Sequence, residues 1–194
     1  MNEYQMGIAW GIGGFAEGRF ILRHEDKYFL EQMKLPNKIY HQITGKGKLQ
    51  YVVKSETITP DDLPGWSPRN SSERDIPILK DYHDFVRAYI ELHTCLDYCL
   101  SHSTRDGKIY KYKRFRMRIY GNDILIQSIN NLLHENCGAN LKSPQKTPNQ
   151  TTKHIAYTSL DELTDIFNWI DDTPRFEPFW QDVNQKLHHP KIKK

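Results

Sequence analysis

Hydrophobic positions along the chain switch between a helical and an alternating spacing, and the switches mark out the elements. Residues 4–18 predict a helix, "RFILR" a short strand, and "DKYFLEQMK" a second helix stopped by Pro36. "KIYHQI", "TGKGK" and "LQYVVKS" predict strand, turn and strand, because β-branched and aromatic residues flank a Gly/Lys turn. Residues 59–80 are rich in Pro, Ser and charge and predict a connector. "DYHDFVRAYIELHT" then predicts a helix with Phe85, Val86, Tyr89, Ile90 and Leu92 as its apolar positions. "YKRFRMRIY" alternates strictly, with Arg114, Arg116 and Arg118 on one side and Phe115, Met117 and Ile119 on the other, so one face is core and one is cationic. "NDILIQSINNLLHENCG" predicts a helix capped by Asn122 and ended by Gly138, and "IAYTS" predicts a strand. "SLDELTDIFNWI" predicts a last helix, opening on Ser159 and Glu162 at capping-box spacing.

Two copies of nearly the same unit follow one another in this order. The first has one strand fewer, since only "RFILR" separates its first two helices, and its exposed sheet is expected to be smaller. The expected fold class is α+β, two pseudo-twofold repeats that each combine an antiparallel sheet with helices. Residues 1–58 form the shortened first repeat, 59–80 the connector and 81–172 the second repeat. The polar, proline-punctuated tail, 173–194, ends in "KIKK" and is expected to be partly loose.

Composition narrows the class. The 194 residues are 38% hydrophobic and 26% charged, ordinary for a soluble globular chain, and no run approaches the roughly 18 apolar residues of a membrane span. The start "MNEYQMGIAW" lacks the cationic and apolar segments of a secretory signal, so a cytoplasmic protein without a membrane partner is expected. Cys95, Cys99 and Cys137, an odd and sparse set, fit reduced thiols. The net charge of +3 hides a local excess: residues 105–118 hold seven basic side chains against Asp106 alone. Such a segment binds polyanions. On its cationic face Tyr110, Tyr112, Arg114, Arg116 and Arg118, with Lys108 and Lys111 nearby, are candidates for base edges and phosphates. Lys46, Lys48, Lys142, Lys146 and Lys153 are weaker candidates of the same kind.

"GIAWGIGGFAEGRF" admits two readings. A dinucleotide-binding loop needs an apolar strand before it, a helix starting within it and an acid at the end of the next strand about 20 residues on, whereas only Ile8, Ala9 and Trp10 precede it and "RFILRHED" follows. As a helix, it puts Gly7, Gly11, Gly14 and Gly18 on one stripe along which a second backbone could approach. Glycine lowers helix propensity by about 1 kcal/mol relative to alanine, so a packing reason is expected.

In these features the chain resembles the LAGLIDADG homing endonucleases. "FAEGRF" is similar to the ending of the family's first motif, "PDDLPGWSPRNSSERDIP" to its linker, and "DFVRAYIELHT" to its second motif. "RMRIYGNDILIQSINNLLHENCG" and "YTSLDELTDIFNWI" resemble the strand-helix and final helix of a second repeat. The resemblance spans residues 5–172 and implies two central helices in contact, a sheet from each repeat laid into the major groove of duplex DNA, and a monomer with internal symmetry. It also implies a carboxylate at the end of each central helix, holding Mg²⁺ or another divalent ion. Glu17 takes that place in the first motif as a catalytic residue and metal ligand. In the second motif the place falls on His93, with Glu91 aligned to an earlier acid that is usually not catalytic.

Mg²⁺ favours hard oxygen ligands over a neutral nitrogen, so His93 predicts impaired cleavage, or cleavage of one strand, although a histidine can act as a general base. The resemblance thus implies three functions: a DNA-binding protein with a degenerate centre, an active endonuclease or nickase using Glu17, and an RNA-binding splicing helper. A rival zinc reading of His93, Cys95, Cys99 and His102 lacks a familiar ligand spacing.

Overall fold

The computed structural model describes residues 1–69, 71–147 and 152–187. The elements run α1 (Glu3–Ile12), β1 (Gly13–Ala16), β2 (Arg19–His24), α2 (Tyr28–Gln32), β3 (Tyr40–Ile43) and β4 (Leu49–Ser55). After a connector containing one 3-10 turn at Pro60–Asp62 come α3 (His83–His93), β5 (Thr94–Arg105), β6 (Lys108–Gly121), α4 (Asp123–Cys137), β7 (Gln145–Lys146), β8 (Lys153–Tyr157), α5 (Leu160–Ile170) and α6 (Glu177–Leu187). The fold is α+β. Two antiparallel sheets of four strands, ordered β1-β2-β4-β3 and β5-β6-β8-β7, have the same topology. Each is entered from a central helix that runs directly into its edge strand.

α1 and α3 form the spine. Seven of the ten residues of α1 are buried, and so is every residue of α3 from Phe85 to Glu91. Helices buried over most of their surface need cover from several sides, here each other and the two sheets. Close approach depends on small residues: a Cβ at Gly7 would lie 2.5 Å from the Phe85 carbonyl oxygen and 2.7 Å from the Ala88 Cβ, and one at Gly11 would lie 2.6 Å from a Leu92 methyl.

The stripe of four glycines is shorter than the sequence predicts. α1 ends at Ile12, and Gly14 and Gly18 have nothing within 4 Å of an added Cβ. Gly13–Ala16 supply the strand expected to be missing from the first repeat, paired from Gly13↔Leu22 to Ala16↔Arg19. Glu17 and Gly18 make the two-residue turn, both with positive φ (54° and 72°). Such turns match the twist of a hairpin. The expected size difference between the sheets holds in strand length: β1 and β2 have 4 and 6 residues, β5 and β6 have 12 and 14.

α4 is capped as its sequence predicts, with the Asn122 side chain accepting from the Leu125 amide and Gly138 in the left-handed conformation (φ 66°). The capping box at Ser159 does not form. Glu162 instead accepts from the Asn140 amide at 2.9 Å and from Lys142 Nζ at 2.8 Å. The tail also differs from expectation: residues 177–187 are a helix whose Phe179, Trp180 and Val183 are buried. Residues 188–194, including the "KIKK" end, lie outside the described residues. No helix among the described residues is long and apolar enough to cross a membrane.

Candidate nucleic-acid interface

The long hairpin β5–β6 carries the cationic face. Phe115, Met117 and Ile119 are buried, so strand alternation turns Tyr110, Tyr112, Arg114, Arg116 and Arg118 to the opposite side, with Lys108 in the same rank. Lys111 has the other parity and faces away from them. Register sets Asp97 opposite Arg116, Cys95 opposite Arg118 and Cys99 opposite Arg114.

Asp97 organises this surface. Its Oδ1 accepts from Arg116 Nε at 2.9 Å, and its Oδ2 accepts from Arg116 Nη2 at 2.8 Å and Arg118 Nη2 at 2.6 Å. Hydrogen bonding from Arg116 and the charge of Arg118 hold the Asp97 carboxyl below the usual carboxylate range, though desolvation opposes them. Two arginines are thereby fixed in direction and share one countercharge. Arg114 is exposed, stacks over Tyr112 at 5.5 Å, and has no acidic partner among the described residues. Nothing in the sequence marked Asp97, because its partners lie about twenty residues away.

The first sheet offers a smaller face that the sequence reading also missed. By register Arg19, Arg23, Lys54, Gln50 and Gln42 share one side with Ile21 and Val52, which are themselves buried, while Phe20, Leu22 and Val53 lie on the other. The four-residue separation of Arg19 and Arg23, which keeps both on one side of a strand, was the available signal. Arg19 is paired with Glu56 at 2.9 Å, while Arg23 is exposed.

The scattered lysines divide. Lys142 is held by both oxygens of Glu162 (2.8 and 2.9 Å), packs over Tyr157 and is engaged inside the protein. Lys153 binds Asp123 at 2.5 Å and Lys48 binds Glu25 at 3.1 Å. Lys46 and Lys146 are exposed.

The ends of the central helices do not match the carboxylate pair that the resemblance implies. Equivalent last residues are Ile12 in α1 and His93 in α3, followed by Gly13 and Thr94 at the strand starts. Glu17 stands five residues beyond the end of α1, exposed at the hairpin tip. Glu91 is buried and accepts three hydrogen bonds, from Tyr4 Oη (2.5 Å), the Phe176 amide (3.0 Å) and Trp180 Nε1 (2.7 Å). It fastens α6 to the helix pair.

His93 Nε2 donates to the Gly11 carbonyl at 2.9 Å, which leaves Nδ1 as the acceptor facing Arg69 Nη2 at 3.4 Å. Burial, then the charge of Arg69, pulls its pKa down to about 3, so the ring is neutral at pH 7. With Ile12 and a neutral imidazole there, this donor set does not fit a hard divalent ion.

The residues of the zinc reading do not converge. Cys95 and Cys99 lie on the cationic face, His102 on the other side of β5, and all three cysteines are free. The one metal-capable group among the described residues, His83, Asp84 and Asp172, sits at the opposite end of α3. Both ring nitrogens of His83 already face oxygens, of Asp84 at 2.9 Å and of Trp169 at 2.6 Å.

Solved structures share this architecture. The I-LtrWI LAGLIDADG homing endonuclease bound to target DNA superposes with a TM-score of 0.58 at 13% identity, covering 94% of this chain and 89% of that one. The I-SmaMI LAGLIDADG homing endonuclease bound to cleaved DNA gives 0.56 at 9% identity, with 95% and 87% covered. Full-length DUF199/WhiA from Thermatoga maritima gives 0.55 at 10% identity, covering 98% of this chain and 63% of the other. No family model and no curated protein matches the sequence. The chain therefore has the LAGLIDADG homing-endonuclease fold, with two repeats in one polypeptide.

Proposed function

We propose that this protein binds duplex DNA as a monomer, with both sheets against the major groove, and that it does not cut both strands. The observation that carries the reading is the outward rank of β6, where Arg114, Arg116 and Arg118 stand on one face of a 14-residue strand, two of them oriented by Asp97. Guanidinium groups on such a ribbon reach base edges and phosphates in the major groove. The I-LtrWI and I-SmaMI structures of the same fold are described as DNA complexes. Residues 1–58 and 81–172 act as the two halves and residues 59–80 as the connector.

Loss of cleavage follows from the helix ends. Phosphodiester hydrolysis by a divalent ion needs oxygen ligands beside the scissile phosphate. Ile12 supplies none, and His93 is neutral and tied to Gly11. Binding needs neither. The test is to select duplexes from a random library with the purified protein, then incubate a supercoiled plasmid carrying a selected site with protein and Mg²⁺. The reading predicts enrichment of a site that is bound while its plasmid is not linearised. Linearised plasmid, abolished by Glu17→Gln, would overturn the account of the helix ends.

A further inference from the structure

Beside the ends of the central helices lies a small pocket of mixed lining that the sheets do not account for. Its polar residues include Arg69, Arg74, His93 and Asn122, beside Tyr89 and Tyr120. Arg74 is 1% exposed. Its Nη2 donates to the Trp10 carbonyl at the end of α1, yet Nε and Nη1 are buried without a hydrogen-bond partner. The adjacent acid does not serve it: Asp75 Oδ1 accepts from Ser128 at 2.5 Å and from the Ile76 amide at 2.7 Å, and neither free nitrogen of Arg74 bonds to Asp75. Trp66 covers the guanidinium at 5.6 Å. A buried cation without a countercharge is expensive, and so is each buried donor left unpaired.

Anchoring the connector does not require this cation. The Asn122 side chain donates to the Ser71 and Arg74 carbonyls, both at 2.8 Å, and Trp10 Nε1 donates to the Asp75 carbonyl at 2.8 Å. These bonds hold the connector backbone through groups other than the Arg74 side chain. Capping the Trp10 carbonyl uses one nitrogen and leaves two unexplained. The electrostatics agree: burial pulls Arg74 down to about 10, and Arg69 and Arg74 both help to keep His93 neutral. The pocket is positive and contains nothing negative from the described residues.

We propose that this pocket is an oxyanion site that takes a phosphate group, whose oxygens accept from the free N–H groups of Arg74 with Arg69 as the second positive charge at the rim. The phosphate comes either from a free anion or from a DNA backbone lying across the helix ends. The second source rests on the proposed DNA binding; the site itself does not.

The test titrates the full chain with inorganic phosphate at pH 7, with chloride balancing ionic strength and no DNA present, reading heat of binding and thermal midpoint. Saturable binding is expected for the wild type, weakened at least ten-fold in Arg74→Met and several-fold in Arg69→Met. Arg69 is exposed, so its replacement leaves the fold intact and decides the matter alone if Arg74→Met does not fold. Equal midpoints in phosphate and chloride, or an Arg69→Met variant that titrates like the wild type, would overturn the site. A second arm adds a short duplex: competition with phosphate at fixed ionic strength assigns the pocket to a backbone phosphate, and independent binding assigns it to a free anion. Should the duplex not bind at all, the phosphate titration still stands, so the two proposals fail separately.

Discussion

Gly7 of α1 meets Ala88 of α3 with no room between them for another methyl group, 2.7 Å separating the Ala88 Cβ from the place a Gly7 Cβ would occupy. The Phe85 carbonyl oxygen lies nearer still, at 2.5 Å, and backbone cannot step aside as a side chain can. Gly7→Ala should therefore destabilise the protein by about 1–3 kcal/mol through overpacking, even though alanine is the better helix former by about 1 kcal/mol. Gly14→Ala meets only open space and should stay within about 0.5 kcal/mol of the wild type. Urea unfolding of the two variants checks the contrast, and equal losses would contradict the packing described.

That pair also shows how far the sequence could be read. The elements with local signals were legible: β4 spans Leu49–Ser55 as its β-branched and aromatic residues beside the Gly/Lys turn predict, and α4 lies between its Asn122 cap and Gly138. β1 was not, because two of its four residues are glycine, which favour neither strand nor helix, and it follows α1 with no loop between them; only pairing with β2 makes it a strand. Reading helix through to residue 18 then carried Glu17 to the end of α1, when it belongs to a hairpin turn. α6 was missed for a similar reason, since its anchor Glu91 is 85 residues from Phe176 and 89 from Trp180. The arginine rank of β6 was legible because period two is local, whereas its organiser Asp97 becomes visible only with the register.

Glu91 should behave as a structural group. Glu91→Ala leaves the Tyr4 hydroxyl, the Phe176 amide and the Trp180 indole N–H without their acceptor. With each buried unpaired group costing about 1–3 kcal/mol, a loss of at least about 3 kcal/mol is expected, and Glu91→Gln should cost less because its carbonyl oxygen can still accept. Trp180 fluorescence during denaturation follows the release of α6 directly. An unchanged midpoint in Glu91→Ala would contradict the fastening role.

His93 makes stability depend on pH. Its folded pKa is depressed to about 3 while the unfolded imidazole titrates near 6.5, so between these values the unfolded chain binds the extra proton. The contribution is present above about pH 6.5 and is lost as pH falls toward 3, with a slope of up to about 1.4 kcal/mol per pH unit. Wild type should therefore lose stability relative to His93→Gln as pH is lowered from 7 to 5. Parallel stability curves for the two proteins over that window would show that His93 protonates freely in the folded state.

Asp97 restrains the arginines it orients. Asp97→Asn removes a negative charge from the cationic face and loosens the two-point contact with Arg116. Affinity for random duplex should rise and the slope of log K against log salt should steepen by up to about 0.9, one more phosphate contact, while discrimination between selected and random duplex falls. Fluorescence anisotropy on both duplexes at several salt concentrations measures all three.

The most direct test of the central claim is the salt dependence of duplex binding by wild type and by a variant with Arg114, Arg116 and Arg118 all changed to alanine. If the outward rank of β6 lies against DNA, affinity falls steeply between about 50 and 200 mM salt and the slope shrinks in the triple variant by roughly 1–2 units, since Asp97 already neutralises part of the charge. Wild type and variant binding with the same affinity and the same slope would contradict the account.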